Sequence, residues 1–302
     1  MYPSILGPTR ARHAQRLPSV PPTLVHMSPK HIVRHARRCF AARRPRHLIG
    51  PVAVVLSALV LCLPSAYSVE RPGPTRDVLG KDGDESIISL TGAATHRDKG
   101  QLRLTTVNAS GIPGAPVTNA EVLWAWVDPH SVVQPREAVV PIGQTAEEYQ
   151  KESEKDMTDS QKSAADAALA LLKARGKDVN GIEASMHIDD IGGPSAGMMY
   201  ALGVIDKLTP EEETGGKVIA GTGTMNADGK VGEIGGIRLK MLGAKRDGAT
   251  WFLAPAGNCD EVAGHVPDGL RDVRVSTLSE AYDALVAIGR GKGDDLPHCT
   301  AR

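Results

Sequence analysis

Ser195 stands in Gly193-Pro194-Ser195-Ala196-Gly197, Lys240 closes the run Gly235-Gly236-Ile237-Arg238-Leu239-Lys240, and Thr222 lies between them in Val218-Ile219-Ala220-Gly221-Thr222-Gly223-Thr224. A serine hydroxyl is a weak nucleophile at neutral pH. A lysine amine serves as its base only when burial lowers the amine's pKa far below the solution value. Glycines around both residues permit tight packing, and Met198, Met199, Ile234, Ile237 and Leu239 supply the apolar wall that such a pocket requires. The chemistry these residue types fit is acyl transfer: neutral Lys240 takes the proton as Ser195 attacks a carbonyl, then returns it to the leaving amine. Where the glycine-rich loop runs into a helix, the N–H groups of Ser195 and Ala196 would face the oxyanion at the positive end of the helix dipole. Pro194 has no N–H to offer but restricts the backbone just before the nucleophile.

Each residue also has a plainer account. A serine after Gly-Pro is commonly a helix N-cap, a helical lysine is commonly solvated, and Thr222 suits any strand. Gly-x-Ser-x-Gly also forms the nucleophile elbow of α/β-hydrolases. His265 with Asp247 or Asp260 would complete that triad, although the oxyanion loop expected upstream is missing. Asp189, Asp190 and Gly193 are candidates for the pocket wall, and His187 reads as a strand-face residue. A catalytically silent scaffold that binds peptides is a further alternative.

At Ile191-Gly192-Gly193-Pro194-Ser195-Ala196-Gly197-Met198-Met199, Ile219-Ala220-Gly221-Thr222-Gly223-Thr224 and Val231-Gly232-Glu233-Ile234-Gly235-Gly236-Ile237-Arg238-Leu239-Lys240, in that order, the chain resembles the proteolytic domain of Lon proteases. It resembles more closely the exported, membrane-anchored Lon-like proteases that lack an ATPase, from about Ile87 to Ile288. The resemblance implies an α/β (α+β) Lon proteolytic fold, related to a ribosomal S5 domain. It implies a serine endopeptidase with Ser195 as nucleophile, Lys240 as general base and Thr222 as the hydroxyl that orients the lysine. Protein or peptide substrates, no cofactor, and self-association of the kind that builds rings follow from the same likeness. Relatives commonly carry a PDZ domain between the long helix and the strand before the serine; only the connection Ala174 to Gly181 is available for one here, so a PDZ groove is not expected. No Gly-x-x-x-x-Gly-Lys-Ser/Thr loop occurs in these residues. The expectation is therefore ATP-independent cleavage of flexible segments in exported or membrane-associated proteins.

With 302 residues, zero formal net charge and 41% hydrophobic content, the chain has material for one substantial domain, and its charge balance argues against a nucleic-acid partner. The charges are uneven. Arg34, Arg37, Arg38, Arg43, Arg44 and Arg46 precede the apolar run from Leu48 to Leu63. That run has the length of a signal-peptide core and is slightly short for a membrane span. Basic residues before it place the amino end in the cytoplasm and the remainder outside, either anchored through a single N-terminal segment or secreted after cleavage at Ala66-Tyr67-Ser68. Gly50, Pro51 and the basic flank disfavour a buried core helix, and Leu61 before Cys62 disfavours a lipid-attachment site. Residues 1–47 read as a disordered basic region with Met27 as an alternative start, 48–68 as the export segment, 69–84 as a linker, 85–290 as the proteolytic domain and 291–302 as a tail. Cys259 and Cys299 remain in the exported part. Their pairing is left open; a bridge would stabilise by about 3 to 4 kcal/mol through loop entropy. Neither cysteine has spacing suited to a metal, and no metal site is expected.

Position of the reacting groups depends on the elements around them. Arg71-Pro72-Gly73-Pro74 reads as incompatible with a helix or a central strand. Gly100 to Val107 alternates as an early strand, and Glu121 to Val127 reads as a short aromatic helix closed by Asp128-Pro129-His130. Apolar residues recur at helical spacing between Thr145 and Lys173, with Thr158 as N-cap and a thin alanine face for packing on a sheet. Gly181 to Ile188 is the strand feeding the serine loop. Met225 to Val231 is a hairpin with Asp228-Gly229 in its turn. Lys240 falls in the first turns of a helix that reaches Gly248, followed by a buried strand at Ala249–Pro255, another at Val273–Ser276 and a closing amphipathic helix from Leu278 to Ile288.

Overall fold

The computed structural model describes residues 46–188 and 192–301. The chain falls into two compact units that divide after Leu59. Helix α1, Arg46–Cys62, belongs largely to the first. Its apolar side chains Ile49, Val52, Val54, Val55, Leu56 and Leu59 are exposed. Among the described residues no helix is long and apolar enough to cross a membrane. Of the stretch 1–47 read as disordered, residues 1–45 lie outside the described residues, as do Asp189 and Asp190, whereas residues 46 and 47 open α1.

In the second unit the strands are β1 (Tyr67–Asp77), β2 (Lys81–Asp82), β3 (Glu85–Ser86), β4 (Ile88–Thr91), β5 (Gln101–Ser110), β6 (Val132–Pro135), β7 (Glu183–Met186), β8 (Val218–Gly221), β9 (Thr224–Met225), β10 (Val231–Gly232), β11 (Trp251–Pro255) and β12 (Arg271–Val275). The helices that follow α1 are α2 (Asn119–Val127), α3 (Ala146–Ala174), α4 (Gly197–Leu208), α5 (Ile237–Arg246), α6 (Cys259–Val262) and α7 (Leu278–Gly289). Six strands form one mixed sheet in the order β12-β11-β8-β5-β1-β6. The first four run parallel, while β1 is antiparallel to both β5 and β6. β9 and β10 make the hairpin expected around Asp228-Gly229, with Gly229 at φ 75°. β4 and β7 form a separate antiparallel pair.

Alternation along β8 and β11 divides the core between the two faces of the sheet. Ile219 and Leu253 join the larger cluster around Met198, Met199, Leu202 and Ile205, whereas Ala220, Phe252 and Ala254 join Ile237, Met241 and Ala244. Helix α4 thus packs on one face and α5 on the other. Every residue of α4 from Gly197 to Asp206 is buried, as its nearly unbroken apolar sequence requires. Outside it lies α3, whose alanine face packs on α4 rather than on the sheet.

Two segments depart from their sequence patterns. The supposed linker 69–84 carries β1 and the β2–β3 hairpin, and β1 is an interior strand of the main sheet. Pro72 and Pro74 are tolerated for two reasons. The register against β5 shifts between Pro72 and Thr75, a bulge that relaxes the ladder. Moreover, β6 pairs only with Tyr67 to Glu70, so beyond Glu70 no partner on that side requires the missing N–H groups. Gly73 at the bulge is obligatory, since a Cβ there would lie 2.2 Å from Thr106 Oγ1 and 2.7 Å from the Thr106 carbonyl carbon. Thr158, expected as an N-cap, is the second departure. It lies inside α3, where its hydroxyl donates to the Glu154 carbonyl at 2.9 Å. The true N-cap is Thr145, in a reciprocal capping box with Glu148. The sequence Thr145-x-x-Glu148 carried that signal.

Segment 291–302 is fastened to the body. Cys299 is disulfide-bonded to Cys259, its N–H donates to Asp272 at 2.6 Å, and the Arg274 N–H donates to the Pro297 carbonyl at 2.8 Å.

Candidate active site

A cleft of about 140 Å³ opens over the carboxyl end of β8. Its wall is formed by Thr105, Thr106 and Val107 of β5, by Gly193, Ser195 and Ala196, and by Lys240. Three elements converge there. Ser195 sits in a single 3₁₀ turn, Pro194–Ala196, that leads directly into α4. Thr222 follows the last residue of β8, and Lys240 lies on α5 beneath the opposite face of the sheet.

The serine turn is fixed from two sides. Gly193 has φ 86°, a conformation that favours glycine, and its N–H donates to the Ser153 carbonyl at 3.3 Å. Ser160 on α3 donates its hydroxyl to the Pro194 carbonyl at 2.9 Å. Gly197 leaves no room for a side chain, because a Cβ there would lie 2.8 Å from Ser160 Oγ and 2.9 Å from the Met225 backbone nitrogen. These contacts lock the turn between α3 and β9. Ser195 and Ala196 occupy the first turn of the helical segment, where N–H groups have no intrahelical acceptor, and both residues line the cleft.

Lys240 is 3% exposed. Burial pushes its amine down to about 8, against a smaller upward pull from the charge of Glu70. Its Nζ donates to Thr222 Oγ1 at 3.3 Å. Thr222, fully buried, donates its own proton to the Ser195 carbonyl at 3.0 Å. The Gly223 N–H reaches that same carbonyl at 2.8 Å. One hydroxyl therefore ties the amine to the backbone of the serine turn. Such an arrangement can take a proton from a hydroxyl in the cleft, because an amine this far from its ordinary value is deprotonated in a useful fraction of molecules.

Glu70 was missed by sequence reasoning because it fell in the supposed linker. It stands on β1 and accepts from Gln134 Nε2 at 2.9 Å, and burial raises its own pKa while Lys240 lowers it. A Cβ on Gly236 would come within 3.4 Å of Glu70 Oε2, so the carboxylate lies against the start of α5. A lone acid in a proline-rich stretch offered no signal; its strand had to be placed first.

None of His265, Asp247 and Asp260 borders the cleft. The His265 ring nitrogen contacts the Ala263 carbonyl at 3.1 Å, and Asp247 accepts from the Thr75 hydroxyl at 2.9 Å and from Arg246 Nε at 2.8 Å. The Asp247 carboxyl is held down at about 2, chiefly by Arg246, which suits an anchor between α5 and β1 rather than a partner for a catalytic histidine. The hydrolase-type triad is not assembled.

Residues 155–288 match the family of the Lon protease (S16) C-terminal proteolytic domain. The chain is 31% identical to the Lon protease of Mycoplasma genitalium over 144 residues, covering 43% of this chain and 18% of that protein. It is 35% identical over 141 residues to Lon protease 2 of Herpetosiphon aurantiacus, covering 43% of this chain and 17% of that protein. With a mitochondrial Lon protease homolog of Emericella nidulans it shares 36% identity over 100 residues, 32% of this chain and 9% of that protein. It thus spans less than a fifth of the length of these relatives. The mixed sheet with helices on both faces is consistent with the fold of that proteolytic domain.

Proposed function

We propose, from the match of residues 155–288 to the Lon protease (S16) C-terminal proteolytic domain, that this chain is a serine endopeptidase in which Ser195 and Lys240 act as nucleophile and general base. The observation that carries this reading is the buried Lys240 amine, 3.3 Å from the Thr222 hydroxyl and sharing a cleft with Ser195. Ser195 Oγ attacks the peptide carbonyl as its proton moves to Lys240 Nζ. The N–H groups at Ser195 and Ala196 hold the oxyanion. Lys240 then gives the proton to the leaving amine, and water, deprotonated by the same amine, releases the acyl group and restores the serine.

A second, wider groove of about 720 Å³ meets the serine cleft at Gly192 and runs between α3 and β7, past Tyr149, Met157 and Met186. We assign it to the substrate. Among the described residues β7 pairs only with β4, which leaves an edge alongside which an extended polypeptide can add. Cleavage of flexible segments without ATP belongs to the same proposal; degradation of such a substrate only when ATP is added would refute that part of it.

The same reading places the second unit outside the cytoplasm. Its support is the Cys259–Cys299 disulfide, which persists in oxidising compartments, and the exposed apolar side chains of α1. Ser68 is buried within β1 and donates to the Gln134 carbonyl at 3.3 Å. Cleavage after it would remove two residues of that strand, so processing is expected upstream or not at all. Self-association belongs to the same reading and is open to sedimentation.

The test is labelling of the purified full chain with a serine-directed fluorophosphonate, mapped by peptide mass spectrometry. Labelling at Ser195 that disappears in Lys240→Met supports the dyad. Labelling that survives Lys240→Met and disappears in His265→Ala refutes it.

A further inference from the structure

At the end of α4 remote from Ser195, three carboxyl groups from three segments converge: Asp98 from the loop before β5, Asp206 from the last turn of α4, and Glu213 from the loop before β8. Ten helical residues separate this place from the serine turn, about 15 Å along the axis. One oxygen of each carboxyl lies within 4.8 Å of the others. Asp206 and Glu213 are 2% and 3% exposed. Asp98 Oδ2 accepts from the Thr214 N–H at 2.7 Å and Oδ1 from the Gly100 N–H at 2.8 Å, and Glu213 Oε1 accepts from the Tyr282 hydroxyl at 3.2 Å and from Thr209 Oγ1. Asp206 Oδ2 and Glu213 Oε2, both buried, have no hydrogen-bond partner.

Two buried carboxylate oxygens that receive no hydrogen bond from the surrounding residues, set beside a third acid, are costly unless a cation or a shared proton lies between them. Among the described residues no ion pair reaches the three acids; the neighbouring Lys99 is taken by Glu212 at 2.8 Å. What the cluster lacks is positive charge at its centre. All the donors are oxygen, which selects a hard cation over zinc or copper. One oxygen of each acid lies close enough to the others for all three to share one ion. Carboxylates from three separate segments suit the flexible shell of Ca²⁺ better than Mg²⁺, which demands a near-ideal octahedron and keeps most of its waters. The negative end of the α4 dipole points at the same spot. An approach exists as well, since Thr209 and Glu213 line an open pocket of about 340 Å³ that leaves room for the waters completing a calcium shell. Arg175 on its rim is engaged by Asp283 at 2.8 Å.

We propose that Asp98, Asp206 and Glu213 form a calcium site that clamps the end of α4 to the loops entering β5 and β8. The ion supplies what Asp206 Oδ2 and Glu213 Oε2 lack, and it holds three segments that no disulfide joins. The site is structural and independent of the serine chemistry. The competing occupant is a proton shared among the acids.

The full chain, stripped with a chelator, is titrated with CaCl₂ and, separately, MgCl₂ while thermal unfolding is followed. Millimolar Ca²⁺ is expected to raise the midpoint by on the order of 5 °C, and Mg²⁺ by much less. Terbium, a calcium substitute, should luminesce on excitation of Tyr282, whose hydroxyl bonds Glu213, and Ca²⁺ should quench that signal by displacement. Asp206→Asn and Asp98→Asn should lose both responses, whereas Glu212→Gln should keep them. Tyr282→Phe should lose the terbium signal and keep the calcium shift, a check that leaves all three acids in place. The proposal is overturned if the unaltered chain shows neither response at millimolar Ca²⁺, or if Asp206→Asn responds as the unaltered chain does.

Discussion

Between pH 6 and 10 the hydrolysis of an unstructured peptide should follow the neutral fraction of Lys240. An ordinary lysine, at 10.5, would be neutral in about one molecule in three thousand at pH 7, whereas a lysine pushed down to about 8 is neutral in about one in ten. Burial of the amine thus raises the usable base roughly three-hundredfold at pH 7. In a series of kcat/KM measurements on a fluorogenic peptide, the logarithm should climb with unit slope and level off above pH 8. Glu70 offers an independent handle, because its charge opposes the effect of burial. Glu70→Gln removes the opposing pull, so the inflection should move to lower pH and activity at pH 6 should rise relative to the plateau. A profile flat from pH 6 to 9, or one that rises through the ordinary histidine range and is abolished by His265→Ala, would refute the assignment of the base. An inflection that stays put or moves upward in Glu70→Gln would refute the role of that carboxylate.

Three other outcomes follow from the same geometry. Lys240→Met should be inactive yet more stable at neutral pH, because it removes a buried charge worth up to about 3 kcal/mol. The folded chain loses its lysine proton near 8 and the unfolded chain near 10.5, so the parent gains stability across that window and the difference in melting temperature should close as pH rises; a variant less stable than the parent at pH 7 would contradict this. Gly73→Ala places a methyl group 2.2 Å from Thr106 Oγ1 and against the Thr106 backbone, so β1 should be forced off β5, with a fall in melting temperature of several degrees by circular dichroism. Cys299→Ser should cost about 4 kcal/mol by loop entropy, since the bridge spans a separation of 40 residues; denaturant titration that showed no loss would mean that the tail's hydrogen bonds to Asp272 and Arg274 suffice.

The legible parts of the fold were those with a strong local period or a strong stop. Strands at Gln101–Ser110 and Trp251–Pro255, the hairpin around Asp228-Gly229 and the helix from Leu278 agree closely with their sequence patterns. The stretch from Tyr67 to Asp77 did not, because two prolines and a glycine outweigh alternation in any local reading. Only the end of β6 at Glu70 and the bulge at Pro72 make that strand admissible. Its misreading also hid Glu70.

Residue type and order along the chain were enough to single out Ser195, Lys240 and Thr222, because glycine-bounded serine and lysine set in apolar sequence have few uses. That they border one cleft is decided by topology. Ser195 is carried by a helix on one face of the sheet and Lys240 by a helix on the other, and the two approach each other only past the end of β8, where Thr222 spans the gap. The lowered affinity of the amine for a proton is likewise a property of enclosure. No stretch of sequence contains the dielectric around a side chain; packing creates it.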